Sequence, residues 1–377
     1  MKPRERMLSI IRGKMTDKLP FFHVDHQLPR GEKEREARDR GMGVICYRPC
    51  YLEFMSNVEI VTKRDSNTLV RTYNTPVGKL TEVLVHGAGY GIAGFDRDWR
   101  GVLPRRKEFL VKTLEDYKVL RFMVENIHYK PYYFPVEDQR RRLGEDGVVV
   151  SDIPYEPLQR LLIEWVDWKR FYTDMTKNRE IIDEIFELLE MKYEEELFPI
   201  AANSPSDIVR YGGNIDSTLV SPSMFERYYV PSYAKCAMTV KNNGKVLDVH
   251  MDGRLKFLAD AIAKSQVDIV EALTPPPMGD IPVNEALSIW KDKIIWINIP
   301  STISTLPGSS PHGVKKYLVE QLKLLIPGER AIVIASTENR VPEENLIAMT
   351  DVMERATLPL SRESVEKIRI DMSAANR

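Results

Sequence analysis

The stretch Lys245-Val-Leu-Asp-Val-His-Met-Asp-Gly253 decides how the rest of the chain is interpreted. It is a short apolar strand that ends in polar side chains and then breaks at a glycine. In an extended segment, residues two positions apart share a face, so Asp248, His250 and Asp252 point to the same side. Titratable groups are costly inside a core unless they are paired, hydrogen-bonded or bound to a cation. The strand end is therefore either a structural site satisfied by neighbouring backbone or part of a functional site.

The composition argues against several classes of protein. The chain has 377 residues, a net charge of −1 and three cysteines, Cys46, Cys50 and Cys236, without a CxxC pair. The balanced charge gives no electrostatic reason to expect nucleic acid or an anionic membrane as a partner. Three cysteines indicate neither a disulfide framework nor a thiolate zinc site. The first residues are charged and no apolar run is long enough to span a bilayer, so we expect a cytoplasmic protein.

Short apolar segments alternate with helical segments along the chain, and polar residues collect at the C-terminal end of each apolar segment. The apolar segments are residues 19–25, 43–48, 147–152, 207–213, 245–250, 267–271, 294–298 and 331–335. This alternation is the pattern of parallel β/α units. Eight such strands favour a closed (β/α)8 TIM barrel over an open doubly wound sheet, and we predict that residues 1–377 form a single barrel of the α/β class. There is no GxGxxG after a strand and no GxxxxGK[ST], which argues against dinucleotide and P-loop sites.

One region departs from this alternation. Residues 58–85 alternate β-branched and polar side chains between turn signals, which is typical of an antiparallel hairpin or meander with one face in solvent. We predict an antiparallel β-hairpin insertion after the second barrel strand, at about residues 55–95. We expect residues 99–133 to be helical. A lid and a homodimer contact are both consistent with the insertion.

Active sites of (β/α)8 barrels lie at the C-terminal ends of the strands. The polar residues at these ends include six carboxylates, which need a cation, shared protons or a polar substrate in order to coexist. In chain order the residues are His23, Asp25, His26, Asp152, Tyr155, Tyr211, Asn214, Asp216, His250, Asp252, Glu271, Asn298, Thr337 and Glu338. A histidine with two or three carboxylates can bind zinc or a harder metal. The alternative is that the acids form ion pairs with nearby arginines, namely Arg48, Arg210, Arg254 and Arg340.

The chain also resembles the uroporphyrinogen decarboxylase superfamily over nearly its whole length. The resemblance lies in Tyr211-Gly-Gly-Asn-Ile-Asp-Ser-Thr-Leu-Val-Ser-Pro-Ser-Met-Phe-Glu226, His250-Met-Asp-Gly253 and Ala335-Ser-Thr-Glu-Asn-Arg-Val-Pro-Glu-Glu-Asn-Leu346. The family contains the decarboxylase proper and a branch of corrinoid-dependent methyltransferases, all on a (β/α)8 barrel. The decarboxylase holds its acidic tetrapyrrole with an arginine-rich segment after the first strand, but here His23-Val-Asp-His-Gln-Leu-Pro-Arg30 has a single arginine. The resemblance therefore points to the methyltransferase branch.

In that branch a zinc is held by a His-x-Cys at the fifth strand and a Cys at the eighth. His250 matches the histidine, but Asp252 and the region of Glu338 stand where the two cysteines would be. This departure weakens the interpretation as a thiol methyltransferase that uses methylcobalamin. It leaves the members that take a methyl group from a methoxylated compound and pass it to a corrinoid protein. Nothing in the chain resembles the DxHxxG loop of a cobalamin-binding domain, so the corrinoid would arrive on a separate protein.

We therefore predict a corrinoid-dependent methyltransferase that demethylates a methoxylated, aromatic small molecule. The predicted catalytic residues are His250, Asp252, Asp216, Tyr211 and His26; the predicted cofactor-binding residues are Asn214, Tyr155 and Asn298; the candidate zinc ligands are His250, Glu271 and Glu338. Decarboxylation of an acidic substrate and methylation of a thiol remain as alternative activities. A further alternative is a barrel that binds a corrinoid protein or tetrapyrrole without chemistry.

Overall fold

The structure is a computed structural model that describes residues 1–65, 67–85, 105–337 and 339–374. Its strands are β1 (Phe21–Val24), β2 (Gly43–Pro49), β3 (Tyr51–Met55), β4 (Glu59–Arg64), β5 (Thr68–Thr75), β6 (Gly78–Val85), β7 (Arg105–Glu108), β8 (Ile127–Pro131), β9 (Gly147–Ile153), β10 (Ile208–Tyr211), β11 (Val246–His250), β12 (Ile269–Leu273), β13 (Ile294–Asn298) and β14 (Ala331–Ala335). Strands β1, β2 and β9 to β14 are parallel and close into an eight-stranded barrel, in which β14 pairs with β1. Each barrel strand overlaps one of the eight predicted segments, so the (β/α)8 TIM barrel is confirmed.

The barrel strands are continuous apolar runs because both of their faces are covered. Every residue of β9, β12 and β14 is buried. A strand with its inner face in the barrel and its outer face against helices has no side exposed to water, so it shows no alternation of apolar and polar residues.

Helices connect the barrel strands and cover the outside of the barrel. They are α1 (Pro3–Ile11), α2 (Glu32–Asp39), α3 (Asp116–Glu125), α4 (Phe134–Leu143), α5 (Pro157–Arg160), α6 (Trp168–Lys177), α7 (Arg179–Lys192), α8 (Phe198–Ala202), α9 (Pro222–Met224), α10 (Val230–Lys241), α11 (Ala259–Lys264), α12 (Val283–Ile289), α13 (Ser301–Ser304), α14 (Pro311–Leu325), α15 (Glu343–Met353) and α16 (Arg362–Ala374). Short 3₁₀ turns lie at Asp25–Gln27, Gly144–Asp146 and Lys256–Leu258, and π-helical turns at Leu161–Trp165, Tyr193–Leu197 and Phe225–Tyr229. Among the described helices, none combines the length and apolar character needed to cross a membrane.

The predicted antiparallel insertion is present and is larger than one hairpin. Strands β4, β5, β6 and β7 form a four-stranded antiparallel sheet, which we call the meander, and β3 pairs with β8 in a second antiparallel sheet. In β6, Leu80, Glu82 and Leu84 are buried while the residues between them are more exposed. This period of two is the reason that the sequence pattern predicts strands here.

The predicted helix over residues 99–133 is wrong for much of the part that the structure describes. Only Asp116–Glu125 is helical, whereas Arg105–Glu108 and Ile127–Pro131 are strands β7 and β8, and residues 99–104 lie outside the described residues. The charged run of β7 has no apolar periodicity of its own. It becomes a strand because β6 offers it an edge to pair with, just as β3 does for β8.

The barrel interior turns from apolar to polar toward the C-terminal ends of the strands. Tyr47 on β2 reaches Glu271 on β12, and since these strands are not neighbours the contact must cross the interior. Paired residues in parallel strands share a face, which places Arg210 and Asp248 on the same inner side. Deeper in the barrel, a Cβ on Gly43 would lie 2.2 Å from the ring of Phe22, so glycine there makes room for an apolar floor. The polar groups thus lie at the mouth of the barrel, where barrel enzymes have their active sites.

Candidate active site

His250 ends strand β11 and lies between two carboxylates. Its Nδ1 contacts Glu271, which is opposite it in the register of β11 and β12, and its Nε2 lies 3.5 Å from Asp252. The His250 side chain is 14% exposed. Burial alone would lower the pKa of His250, but the charges of Glu271 and Asp252 outweigh it and raise the pKa to about 10. At neutral pH the imidazole is therefore a cation with one N–H on the Glu271 side and the other on the Asp252 side.

Glu271 is fully buried and has three partners. Besides contacting His250, it accepts a hydrogen bond of 3.0 Å from the Tyr47 hydroxyl, and its Oε2 lies 4.0 Å from Nη1 of Arg210. Burial would raise the pKa of Glu271, but the His250 imidazolium and the Arg210 guanidinium keep it below its usual range. The sequence prediction included Glu271 and missed Tyr47. Tyr47 lies two residues after the buried Ile45 of β2, and this spacing was the available signal.

Arg210 of β10 and Asp152 of β9 form a second ion pair beside Glu271. Arg210 donates from Nε and Nη2 to the two Asp152 oxygens, at 2.8 and 2.9 Å. Its guanidinium also lies over the Tyr47 ring, 3.9 Å from the centroid. Bidentate pairs fix the plane of the guanidinium, and here they fix its contact with Tyr47 as well. His250, Glu271, Tyr47, Arg210 and Asp152 are therefore one connected set, which we call the mouth network.

Asp248 lies two residues before His250 on β11, deeper in the barrel and on the same inner face. It is fully buried, and among the described residues neither of its carboxylate oxygens has a hydrogen-bond partner. Burial, together with the negative charge of Glu271, raises the pKa of Asp248 well above its usual value. The raised pKa favours the neutral, protonated form of this carboxyl group, which lies beneath the mouth network.

Two predicted catalytic residues lie away from this network. Tyr211 points outward from the barrel: its hydroxyl shares a hydrogen bond of 2.7 Å with Ser232 of α10, and its side chain is fully buried. Asp216 accepts hydrogen bonds from the backbone N–H of Thr218 at 2.7 Å and of Arg254 at 3.1 Å. Asp216 thus holds the loop after β10 to the loop after β11.

His26 and Asn298 occupy other parts of the strand-end rim. His26 lies 3.6 Å from Asp25, whose carboxylate also accepts a 2.6 Å hydrogen bond from Arg48. Asn298 donates to Thr274 at 3.2 Å and accepts from the backbone N–H of Ser336 at 3.0 Å. Asp25 with Arg48 and Asp152 with Arg210 are ion pairs, as the alternative interpretation of the sequence predicted for these acids.

The turn after β10 contains or contacts two further predicted residues, Asn214 and Tyr155. Asn214, in the left-handed region with a φ of 54°, donates a 2.9 Å hydrogen bond to the Tyr155 hydroxyl. A Cβ on Gly213 would lie 2.7 Å from Cβ of His250, so glycine allows the turn to pack on the histidine. Beneath the turn, Glu156 accepts from the Gly213 N–H at 3.2 Å, and burial raises the pKa of Glu156 to about 8.

The candidate zinc ligands are only partly described. His250 and Glu271 are in contact, whereas Glu338 lies outside the described residues. Within the described part of the chain, no three His, Cys, Asp or Glu side chains are grouped as they would be around a metal ion. A histidine binds a metal as neutral imidazole, whereas the two carboxylates here favour the cation. These two donors do not complete a zinc site by themselves, and zinc ligation stays a prediction.

A cavity of about 630 Å³ lies between the barrel mouth and the meander. Asp152, Tyr155 and Arg210 line it from the barrel, and Glu82 and Arg106 line it from the meander. Its volume suits a molecule built on one or two rings. Since Asp152 and Arg210 belong to the mouth network, a ligand in this mouth cavity would lie next to the network.

Comparison with known proteins supports the fold. No family model matches the chain, and no curated protein matches it in sequence. Among solved structures, a methyltransferase from Methanosarcina mazei aligns over 98% of this chain and 99% of its own, with 13% identity and a TM-score of 0.56. Mannonate dehydratase from Streptococcus suis aligns over 96% of both chains, with 10% identity and a TM-score of 0.33, which is too low to support an inference. At this level of identity, the likeness to the M. mazei protein shows that the two chains share a fold.

Proposed function

We propose that this protein is a methyltransferase that takes a methyl group from a methoxylated small molecule and passes it to the cobalt of a separate corrinoid protein. The observation that carries the proposal is the His250 side chain, held between two carboxylates at the mouth of the barrel, in a network whose members Asp152 and Arg210 line a cavity of substrate size. The resemblance around His250 to the methyltransferase branch of the uroporphyrinogen decarboxylase superfamily supports it. So does the fold shared with a protein described as a methyltransferase.

The reaction breaks the bond between the methyl carbon and the ether oxygen and leaves negative charge on that oxygen. A bound corrinoid would supply the nucleophile for the methyl carbon. An acid on the ether oxygen stabilises the leaving group. His250 is well placed for this role, because Glu271 occupies its Nδ1 side and leaves the Nε2 proton to be given away. The proton moves from Nε2 to the ether oxygen as the carbon–oxygen bond breaks, and a neutral alcohol or phenol leaves.

The neighbours of His250 orient the ring and return its proton. Glu271, itself held by Tyr47 and Arg210, fixes the imidazole plane and stabilises the charged form before transfer. Asp252 is 45% exposed and lies beside Nε2, so it connects the neutral imidazole to protons from solvent.

The test is whether the protein forms methylcobalamin from cob(I)alamin and a panel of methoxylated aromatic donors. Absorbance measures the methylcobalamin formed. We expect His250→Ala to lower the rate by about 100-fold or more, the usual contribution of a general acid. His312→Ala is the matched control, because His312 is exposed on α14 and should leave the rate unchanged.

A correctly folded protein that forms no methylcobalamin from any methoxylated donor would contradict the proposal. Release of CO2 from an acidic substrate would instead establish a decarboxylase. Transfer of methyl from methylcobalamin to a thiol would establish the thiol methyltransferase alternative.

A further inference from the structure

The sheet of β3 and β8 has one partly exposed face. The backbone N–H of Ser56, the first residue after β3, donates to the Asn126 carbonyl at 3.0 Å, so the pairing of the two strands continues past the end of β3. Residues two positions apart in a strand share a face, so Leu52, Phe54 and Ser56 point to the same side. Leu52 is 41% exposed and Phe54 is 46% exposed. This face therefore presents two apolar side chains and a serine.

His128 of β8 lies opposite Phe54 in the register and shares this face. Its Nε2 lies 3.1 Å from the Ser56 hydroxyl, and its Nδ1 lies 3.4 Å from Glu196. The Phe54 ring packs against the imidazole, with the ring centroids 5.4 Å apart. A hydroxyl on one ring nitrogen and a carboxylate on the other is the arrangement of nucleophile, base and orienting acid that recurs in serine hydrolases of unrelated folds.

Glu196 lies in the π-helical turn at Tyr193–Leu197 and is itself held in place. Its Oε2 accepts a 2.7 Å hydrogen bond from the backbone N–H of Tyr129, and its Oε1 lies beside His128 and 3.7 Å from Nζ of Lys192. A carboxylate next to Nδ1 favours the tautomer that carries its proton on Nδ1. Nε2 of His128 then has a lone pair for the proton of Ser56.

The turn that contains Ser56 fixes the hydroxyl and ends the strand sharply. Asn126 Oδ1 is a second acceptor for the hydroxyl, at 3.1 Å, and it also accepts from Nδ2 of Asn57 at 3.0 Å. Asn126 thus keeps the hydroxyl within reach of His128. Asn57 has a φ of 57°, in the left-handed region. In the part of the chain that the structure describes, the backbone N–H of Asn57 has no acceptor, and the residue after the nucleophile is one from which hydrolases supply a donor to the oxyanion.

We propose that Ser56, His128 and Glu196 form a catalytic site, separate from the mouth network, that hydrolyses carboxylic esters with an apolar acyl group. Ser56 Oγ attacks the carbonyl carbon of the ester while its proton passes to Nε2 of His128. That proton leaves with the alcohol, and the acyl group stays on Ser56. Water then attacks the acyl group and gives a proton to His128, which returns it to Ser56 as the acid leaves.

The apolar acyl group would lie along Leu52 and Phe54, which share the face with the serine. The site has no residue in common with the mouth network, so this inference does not rest on the proposed function.

Hydrolysis of 4-nitrophenyl butyrate and covalent labelling by a fluorophosphonate test the site in the whole chain. Labelling joins Ser56 Oγ to phosphorus with loss of fluoride, and peptide mass spectrometry locates the label. We expect the label on Ser56, and we expect Ser56→Ala to lower release of 4-nitrophenol by at least about 100-fold. Ser288→Ala is the matched control, because Ser288 is exposed on α12 and its hydroxyl donates to a backbone carbonyl.

Variants of the other two residues separate their roles. His128→Ala removes the base and should abolish labelling of Ser56, whereas His312→Ala, which removes an exposed imidazole, should not. Glu196→Gln keeps an acceptor for the Tyr129 N–H but loses the charge, so we expect labelling to slow by at least about tenfold.

The labelling of the wild-type protein keeps the test decisive if a variant fails to fold. Absence of the label from Ser56 in the wild-type protein would overturn the site. Release of 4-nitrophenol by folded Ser56→Ala at the wild-type rate, or equal labelling of His128→Ala and His312→Ala, would overturn it as well.

Discussion

Charged side chains are buried at both ends of the barrel, but they are satisfied in different ways. At the N-terminal ends of the strands, Lys293 donates to the backbone carbonyls of Ser265 at 2.8 Å and Val267 at 3.1 Å. Lys245 binds two backbone carbonyls in the same manner, both at 2.6 Å. At the C-terminal ends, the mouth network joins side chains to side chains, and Asp248 has no hydrogen-bond partner among the described residues.

This difference shows that burial of a charge does not by itself indicate function. A lysine that binds loop carbonyls holds two backbone segments together, and those carbonyls cannot change their protonation. A network of side chains can redistribute protons and exchange partners when a ligand enters. The type of partner, more than the degree of burial, distinguishes the structural end of this barrel from the candidate active site.

The largest effect on stability is expected at the structural end. Lys293→Met keeps an apolar stem of similar length but removes the donor from two buried carbonyls, so we expect the free energy of unfolding to fall by about 3 kcal/mol. The activity of the folded protein should not change. Chemical denaturation measures the loss, with Lys291→Met, at an exposed position, as the control. Equal stability of the two variants would contradict a structural role for Lys293.

At the mouth, Glu271→Gln should affect activity more than stability. Glutamine carries no charge to stabilise the imidazolium, so we expect turnover to fall by about 100-fold. The pKa of His250 should fall from about 10, because one of the two charges that raise it is gone. A pH–rate profile and NMR titration of the imidazole measure both effects. If neither changes, Glu271 does not orient the acid.

Asp248→Asn tests whether Asp248 keeps its proton in the folded protein, because a retained proton makes stability depend on pH. The raised pKa of Asp248 means that the folded state keeps a proton that the unfolded state releases above about pH 4, so the wild-type protein loses stability as pH rises. Asparagine removes this penalty. We expect the stability advantage of the variant over the wild-type protein to be largest near pH 7 and to close toward pH 4. Thermal unfolding across this range measures the difference, with Asp260→Asn at an exposed position as the control. A difference independent of pH would refute the assignment.

The smallest effect is expected at Tyr211, which the sequence pattern placed at the site and which points outward in the structure. Tyr211→Phe loses one buried hydrogen bond with Ser232, which contributes about 1 kcal/mol to stability. Turnover should be unchanged, whereas Tyr155→Phe, in the lining of the mouth cavity, should alter donor binding. Steady-state kinetics measure turnover and donor binding in both variants. A larger loss of turnover in Tyr211→Phe than in Tyr155→Phe would show that Tyr211 acts in the active site.

Much of the barrel was predictable from apolar runs and from the polar residues that end them. The register confirms that His250 and Glu271 lie opposite each other, as expected of neighbouring strand ends. The strands β7 and β8 were not predictable, because charged segments without periodicity adopt the structure of the edge that they meet. Orientation was equally hidden for Arg210 and Tyr211, since a strand buried on both faces gives no alternation to show which residue points inward.

Local sequence was therefore sufficient to specify eight strands, an antiparallel insertion and a histidine with acids at the end of the fifth strand. Closure of the barrel added the contacts between strands that are far apart in order, such as Tyr47 with Glu271, and the packing of the meander over the mouth added the mouth cavity. The physical reason is range: backbone periodicity acts between near neighbours, whereas a buried charge is satisfied by whichever groups the folded chain brings within a few ångströms.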